Sequence, residues 1–423
     1  MSGLAPPRPI AARPAVNVRA ALPWIAIALA AVAAPHVLTS GFGLSLLCRM
    51  GIAIVFALSF NMLLGQGGML DFGHAVFLGF GGFLAMHLMR LSGAGWWIPA
   101  PLLPLFGALG GLVAAIIAGA VATRRGETAF AMITLGLAEL FSTIVLMFPS
   151  IFGGEEGISA DRSDGPALFG IDFATQIQVY YLIAAWAFVC ALLMWRFTRT
   201  PLGRLANAVR DNADRVGFIG YDPARIRFLV FAISGLFAGV AGGLQALNDE
   251  LITSANISSE ASGAVLLMTF IGGVGTFWGP VLGAILVTFL QVALSTFTDA
   301  WQLYDGLLFV AVVVWAPGGL SGIILAHTPL ARRGRLLRLL PSYMLQLPGG
   351  VLALAGIVVL AEMGYRLQAV RNGAAPGHVF GLIADPGSAW PWLLGAALFL
   401  AGAALLRRTA PLARAAWQTE AAA

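Results

Sequence analysis

Apolar runs at about 21–38, 42–65, 67–89, 98–123, 128–151, 178–196, 228–248, 259–274, 280–297, 303–325, 347–370 and 390–406 divide this chain into short linkers. A membrane-spanning helix needs roughly 20 consecutive apolar residues. The pattern therefore predicts an all-α, polytopic transmembrane helical bundle. It should have about 10 core spans or partial spans plus a C-terminal two-helix extension. Only 10% of residues are charged, against about 25% in a soluble domain. All 24 basic residues are Arg, and most sit in clusters between the apolar runs. Such clusters carry orientation information, so the net charge of +5 is no argument for nucleic acid.

Orientation follows from parity. Arg8, Arg13 and Arg19 place the N-terminus in the cytoplasm, and the first apolar run reads as a retained span rather than a cleaved signal peptide. Crossing four times returns the chain inside at Arg124 and Arg125. The fifth crossing leads out to 152–177, which holds Glu155, Glu156, Asp161, Asp164 and Asp172 against Arg162. The sixth returns at Arg196. For Arg332, Arg333, Arg335 and Arg338 also to lie inside, the stretch 259–297 must break at GGVGTFWGP, Gly272 to Pro280. Each piece is then short for a full span, and one of them could be re-entrant. Expected domains are a cytoplasmic tail over 1–20, a membrane domain over 21–325 and an extension over 326–423, with a loop on the outer side at Asn372 to Ala389.

Gly235, Gly239 and Gly243 recur every four residues, as do Gly275, Gly279 and Gly283. Small residues at this spacing let helix backbones approach closely. GFGGF at 79–83 lies inside an apolar run and is not a nucleotide-binding loop. Cys48 and Cys190 fit no metal spacing. No catalytic set, metal cluster, cofactor site or phosphate loop is legible, so ATP, if used, must be hydrolysed by a separate subunit.

Polar residues inside the membrane are the candidates for a path. Asn61, Gln66, Asp71 and His74 join the second and third apolar runs, either as a satisfied interhelical hydrogen-bond cluster or as part of a gate. Glu139 lies twelve residues into the fifth run, about 18 Å at 1.5 Å per residue. It either faces a cavity, protonated or wetted, or makes a structural hydrogen bond. Arg49 and Asp71 differ in depth, so they should not pair, and Arg49 is free to snorkel outward.

The charged island is Thr198 to Arg227, where Arg199, Arg204, Arg210, Arg215, Arg225 and Arg227 crowd with Asp211, Asp214 and Asp222. Pro201 can open a helix, and Leu202, Leu205, Ala206, Val209 and Val216 recur at helical spacing before Gly217, Gly220 and Asp222-Pro223 end it. The expectation is one short amphipathic helix with Arg on its exposed side. Anionic lipid could hold such a helix, but the interleaved Asp residues favour a groove on a protein partner.

In these residues the chain resembles the permeases of ABC transporters for branched-chain amino acids, the LivM-type subunit in particular. The motifs run in the family's order: Gly65-Gln66 through Gly73-His74-Ala75 to Gly81, FAMITLGLAEL (130–140), FGGEEGI (152–158), TPLGRLANAVRDNADRVGFIGYD (200–222), FAISGLFAGVAGGL (231–244), GGVGTFWGPVLGA (272–284) and WAPGGLSGI (315–323). The resemblance implies an importer subunit in a bacterial inner membrane. Its partners would be a LivH-type second permease, two cytoplasmic ABC ATPases and a periplasmic substrate-binding protein. It implies ATPase coupling for Pro201, Gly203, Arg204, Arg210, Asp211, Asn212, Arg215 and Gly220, and a path formed by two permease subunits, for which the polar Asn61, Gln66, Asp71, His74 and Glu139 stand as this chain's candidates. The family often has Ser at the position of Asp71 and Gln near that of Glu139. The extra acidity leaves urea, short amides or aromatic compounds open as cargo beside branched-chain amino acids. An ion-coupled secondary transporter using Glu139 and Asp71 stays as the rival reading.

Overall fold

The computed structural model describes residues 18–422 except 169, 373–377, 380–381 and 384–386. The expected tail over 1–20, with Arg8 and Arg13, lies outside the described residues apart from the first turn of helix α1, and so does most of the loop expected at Asn372 to Ala389. In chain order the helices are α1 Val18–Val37, α2 Gly41–Asn61, α3 Ala75–Gly93, α4 Leu103–Ala122, α5 Glu127–Met147 and α6 Pro149–Phe152. Then follow α7 Gln176–Phe197, α8 Pro201–Asp211, α9 Ala213–Phe218, α10 Pro223–Asp249, α11 Ser259–Gly272 and α12 Gly279–Ser295. The last four are α13 Trp301–Trp315, α14 Gly319–Arg332, α15 Leu336–Arg371 and α16 Ala389–Ala422. A two-residue strand β1, Ile158–Ser159, pairs antiparallel with β2, Leu251–Ile252. Among the described residues eight helices are long and apolar enough to cross a membrane. Six of these belong to the core; three shorter apolar helices and the bent pair α13–α14 complete it, and α15 and α16 are the extension. The chain is a multi-pass membrane protein.

Glycine sets the packing of the core. A Cβ on Gly239 would strike the Gly107 carbonyl, one on Gly111 would strike that of Gly235, and one on Gly242 would strike that of Leu78. Helices α3, α4 and α10 therefore touch backbone to backbone, as the four-residue spacing of small residues permits. Gly279 and Gly283 bring α12 equally close to α11, whereas Gly275 faces open space.

The break required by parity is present. Residues 273–278 form a non-helical turn between α11 and α12, with Gly273 at φ +109. A second break separates α13 from α14, which bend by 44°. The sequence reading treated 303–325 as one run. Apolarity continues through Ala316-Pro317-Gly318, but the Pro ring and Gly319 at φ +65 interrupt the helix. The two breaks pack on each other, Gly319 against Gly273. Irregular backbone at membrane depth is tolerated where protein encloses it.

Two further boundaries differ from expectation. The third span starts at Ala75, not 67, because Gly68 to His74 is an irregular loop. In the extension α15 and α16 run well past the expected 347–370 and 390–406. Arg338, in the added first turn of α15, and Arg335 just before it both face Glu420 of α16, at 3.8 and 3.9 Å. The extension meets the core at buried Glu362, which accepts hydrogen bonds from Thr298 Oγ1 (2.7 Å) and Tyr304 OH (3.0 Å). His327 Nε2 and Tyr343 OH lie 2.7 Å apart in a second contact.

Candidate functional site

The charged island folds as two helices, which corrects the expectation of one. Thr200 caps α8 by accepting from Gly203 N–H (3.2 Å), with Pro201 in the first turn. Asn212 then turns extended (φ −165, ψ 101), and its side chain accepts from Arg215 N–H to cap α9. Val216 therefore belongs to a separate helix. The apolar spacing runs through Asn212 without interruption, and the competing signal was that residue's strength as a cap. Gly203 lies against the Phe197 carbonyl, where any Cβ would collide, and this seats α8 under the end of α7. Gly220, at φ +91, closes the segment before Asp222 caps α10 through Ala224 N–H.

The Arg residues do not share one face. Arg204 and Arg215 are exposed, as are Asp211 and Asp214. Arg199 stacks over the Trp195 ring at 3.6 Å, and Arg225 pairs with Asp222 at 3.3 Å. Arg210 departs from the expected outward direction. Its stem lies against Gly68, which can come this close because it has no side chain, and its guanidinium donates to the Gly65 carbonyl and to Asp211 (3.1 Å). One turn earlier Asn207 Nδ2 donates to Gln66 Oε1 at 2.7 Å. Beside these charges stands an apolar knob: Phe218 is 90% exposed, with Ile219 and Tyr221 next to it.

Gly65 and Gln66 belong to a π-helical turn, Met62–Gln66, that ends α2. Such wide turns recur at functional sites because they shift helix register locally. Asn61, at its start, donates from Nδ2 to the Thr276 carbonyl at 3.5 Å, while its buried Oδ1 has no hydrogen-bond partner among the described groups. A continuous polar link thus runs from α8 through the π-turn to the break between α11 and α12. Sequence reasoning singled out Asn61, Gln66 and Arg210 but missed Asn207, which has no charge to mark it.

Asp71 and His74 form a separate, fully buried cluster. Asp71 Oδ1 accepts from Gly73 N–H (2.8 Å), and Oδ2 stands 3.2 Å from His74 Nδ1. His74 Nε2 lies 2.9 Å from Ser59 Oγ, whose hydroxyl donates to Phe56 O. Phe56 stacks on the imidazole, and Phe60 and Phe77 meet it edge-on. Arg49 does not pair with Asp71; it faces Asp249 at 3.7 Å instead.

Glu139 is exposed on α5, on a face shared with Met132, Leu135 and Leu140. Asp305 was missed in the sequence, although a carboxylate inside an apolar run is the signal to look for. It is 2% exposed and beside Gln291, and neither of its carboxylate oxygens has a hydrogen-bond partner among the described groups. Among the described residues no group of three or more His, Cys, Asp or Glu converges as for a metal.

The family model described as "Branched-chain amino acid transport system / permease component" matches residues 42–317, so the extension lies beyond the match. The high-affinity branched-chain amino acid transport system permease protein LivM of Salmonella typhimurium is 28% identical over 319 residues, covering 70% of this chain and 73% of its own. The probable LivM of Methanocaldococcus jannaschii is 24% identical over 65% of this chain and 92% of its own. The autoinducer 2 import system permease protein LsrC of Escherichia coli O9:H4 is 27% identical over 55% and 68%. No solved structure matches. With more than half its length matched, the chain belongs to the permease-component family of branched-chain amino acid transport systems.

Proposed function

We propose that this chain is a permease subunit of an ABC importer that moves branched-chain or related hydrophobic amino acids across the bacterial inner membrane. Separate cytoplasmic ATPases supply the work, a LivH-type second permease completes the path, and a periplasmic binding protein delivers the substrate. The N-terminus and the α8–α9 segment face the cytoplasm. The observation that carries the reading is the hydrogen-bonded link from α8 to the π-turn, Asn207 to Gln66 and Arg210 to Gly65. A helix that only lay on lipid would have no use for it.

In this reading Pro201, Gly203, Arg204, Asp211, Asn212, Arg215 and Gly220 shape and present the docking surface. Arg210 and Asn207 carry its movement inward. The π-turn passes that movement through Asn61 to the turn over 273–278, where the unpartnered Asn61 Oδ1 can gain a hydrogen bond in another state. Asp71 and His74 hold α2 and α3 in register beside the path. The uncovered face of α5 receives the second permease, with Glu139 along the seam.

The test is reconstitution of the full complex in liposomes, with uptake of L-leucine, urea, a short amide and an aromatic acid compared. ATP-dependent uptake of L-leucine supports the reading. Uptake by this chain alone, driven by an ion gradient, overturns it in favour of a secondary transporter.

A further inference from the structure

At the end of the bundle remote from α8, a cavity of about 470 Å³ opens between α2, α3, α10, α11 and α12. Its size falls in the range of small-molecule sites. Two charges of opposite sign lie side by side on its wall. Arg49 of α2 reaches in with its side chain 55% exposed, and Asp249, the last residue of α10, stands 3.7 Å from it. That separation is longer than a hydrogen bond, so the pair is loose and both groups keep capacity for a ligand. Asp249 is held in place by Asn248 Nδ2 (2.8 Å) and by Gln245 Nε2 (3.4 Å), the latter also part of the lining. Below the charges the lining turns apolar, with buried Ile52, Phe56 and Met268. Thr288, also in the lining, is 5% exposed, and its buried hydroxyl has no hydrogen-bond partner among the described groups. A buried polar group left unpaired is costly, and a ligand that supplies the partner removes the penalty.

We propose that this cavity is a receiving site for the zwitterion of a free α-amino acid, with Arg49 taking the carboxylate, Asp249 the ammonium, and Ile52, Phe56 and Met268 the apolar side chain. The inference rests on the importer reading above and deepens it, because it assigns substrate recognition to the permease as well as to the binding protein. A guanidinium matches a carboxylate in shape as well as in charge. Urea and short amides carry no charge and an aromatic acid lacks the ammonium, so only an amino acid among the possible cargoes engages both members of the pair. The position suits transit, since α10 ends here and the loop after it, Thr253 and Asn256, forms part of the rim.

The experiment uses the assembled transporter in liposomes with its binding protein and reads ratios within one sample, which do not depend on how much protein folds. Uptake of L-leucine is compared with that of L-leucinamide, which lacks the carboxylate, and of N-acetyl-L-leucine, which lacks the ammonium. Arg49→Gln should reduce the preference for L-leucine over L-leucinamide by roughly tenfold, and Asp249→Asn the preference over N-acetyl-L-leucine by a similar factor, the scale of one hydrogen bond to a charged group. Arg49→Lys and Asp249→Glu keep the sign of each charge and should recover part of the preference. L-leucine uptake with wild-type preferences in both neutral variants overturns the cavity proposal alone. A wild-type transporter that carries no L-leucine overturns the amino-acid reading and the cavity proposal with it.

Discussion

Removing Asn207 and Arg210 together should leave the docking helix intact while cutting its link to the membrane domain. The Asn207–Gln66 bond joins two neutral amides and contributes about 1 kcal/mol. The Arg210–Gly65 bond has a charged donor, for which about 1.5–3 kcal/mol is usual. The Arg210 side chain is 40% exposed, so water competes and the lower end applies. Treated as independent, the two contribute about 2.5 kcal/mol, which is roughly 60-fold in the equilibrium that keeps α8 and the π-turn together. Neither change touches the exposed Arg204, Arg215 or Phe218. The Asn207→Ala, Arg210→Ala double variant should therefore still bind the ATPase subunits and hydrolyse ATP. The assay is ATP hydrolysed per L-leucine transported in liposomes, and that ratio should rise steeply. An unchanged ratio in a fully assembled complex refutes the reasoning.

Three further outcomes are expected. Gly239→Val places its side chain against the Gly107 carbonyl; overpacking of this kind costs about 1–3 kcal/mol or more, so thermal unfolding in detergent should occur at a clearly lower temperature, and an unchanged midpoint contradicts the backbone contact. Phe218→Ser removes a ring that is 90% exposed and worth about 1.5–3 kcal/mol if a partner buries it, so affinity for the ATPase subunit should fall by about tenfold or more while the permease alone unfolds as before. Deletion after Gly334 removes α15 and α16, which lie beyond the family match; the remaining chain should assemble and transport, with loss of assembly showing that the Glu362 contacts to Thr298 and Tyr304 are required.

The sequence and the structure agree where one physical effect dominates. Apolar runs marked the spans because burial in lipid leaves little choice. Charge parity found the turn at 272–280, which propensity alone did not demand. Disagreement appears where a local preference overrode a continuing pattern. Apolar spacing ran through Asn212 and through Ala316-Pro317-Gly318, yet the Asn212 cap and the Pro-Gly pair broke both helices. The π-turn left no trace, since Met62–Gln66 reads as ordinary helix. The direction of Arg210 was also hidden: its charge suggested solvent, and only the approach to Gly68 and Gly65 turns it inward. Arg49 and Asp249 are 200 positions apart in sequence, and no local pattern joins them.

The central claim is that α8 and the π-turn move as one body. A Gln66→Cys, Asn207→Cys pair removes their 2.7 Å hydrogen bond, and a short bis-methanethiosulfonate reagent, released again by a reductant, then bridges the two thiols; native Cys48 and Cys190 are both buried. Transport per ATP is measured in the same liposomes before and after bridging. The account predicts weakened coupling in the unbridged pair, which keeps only the Arg210–Gly65 bond, and restored coupling once the bridge forms. Transport abolished by the bridge would contradict it, because the two elements would then have to separate during each cycle.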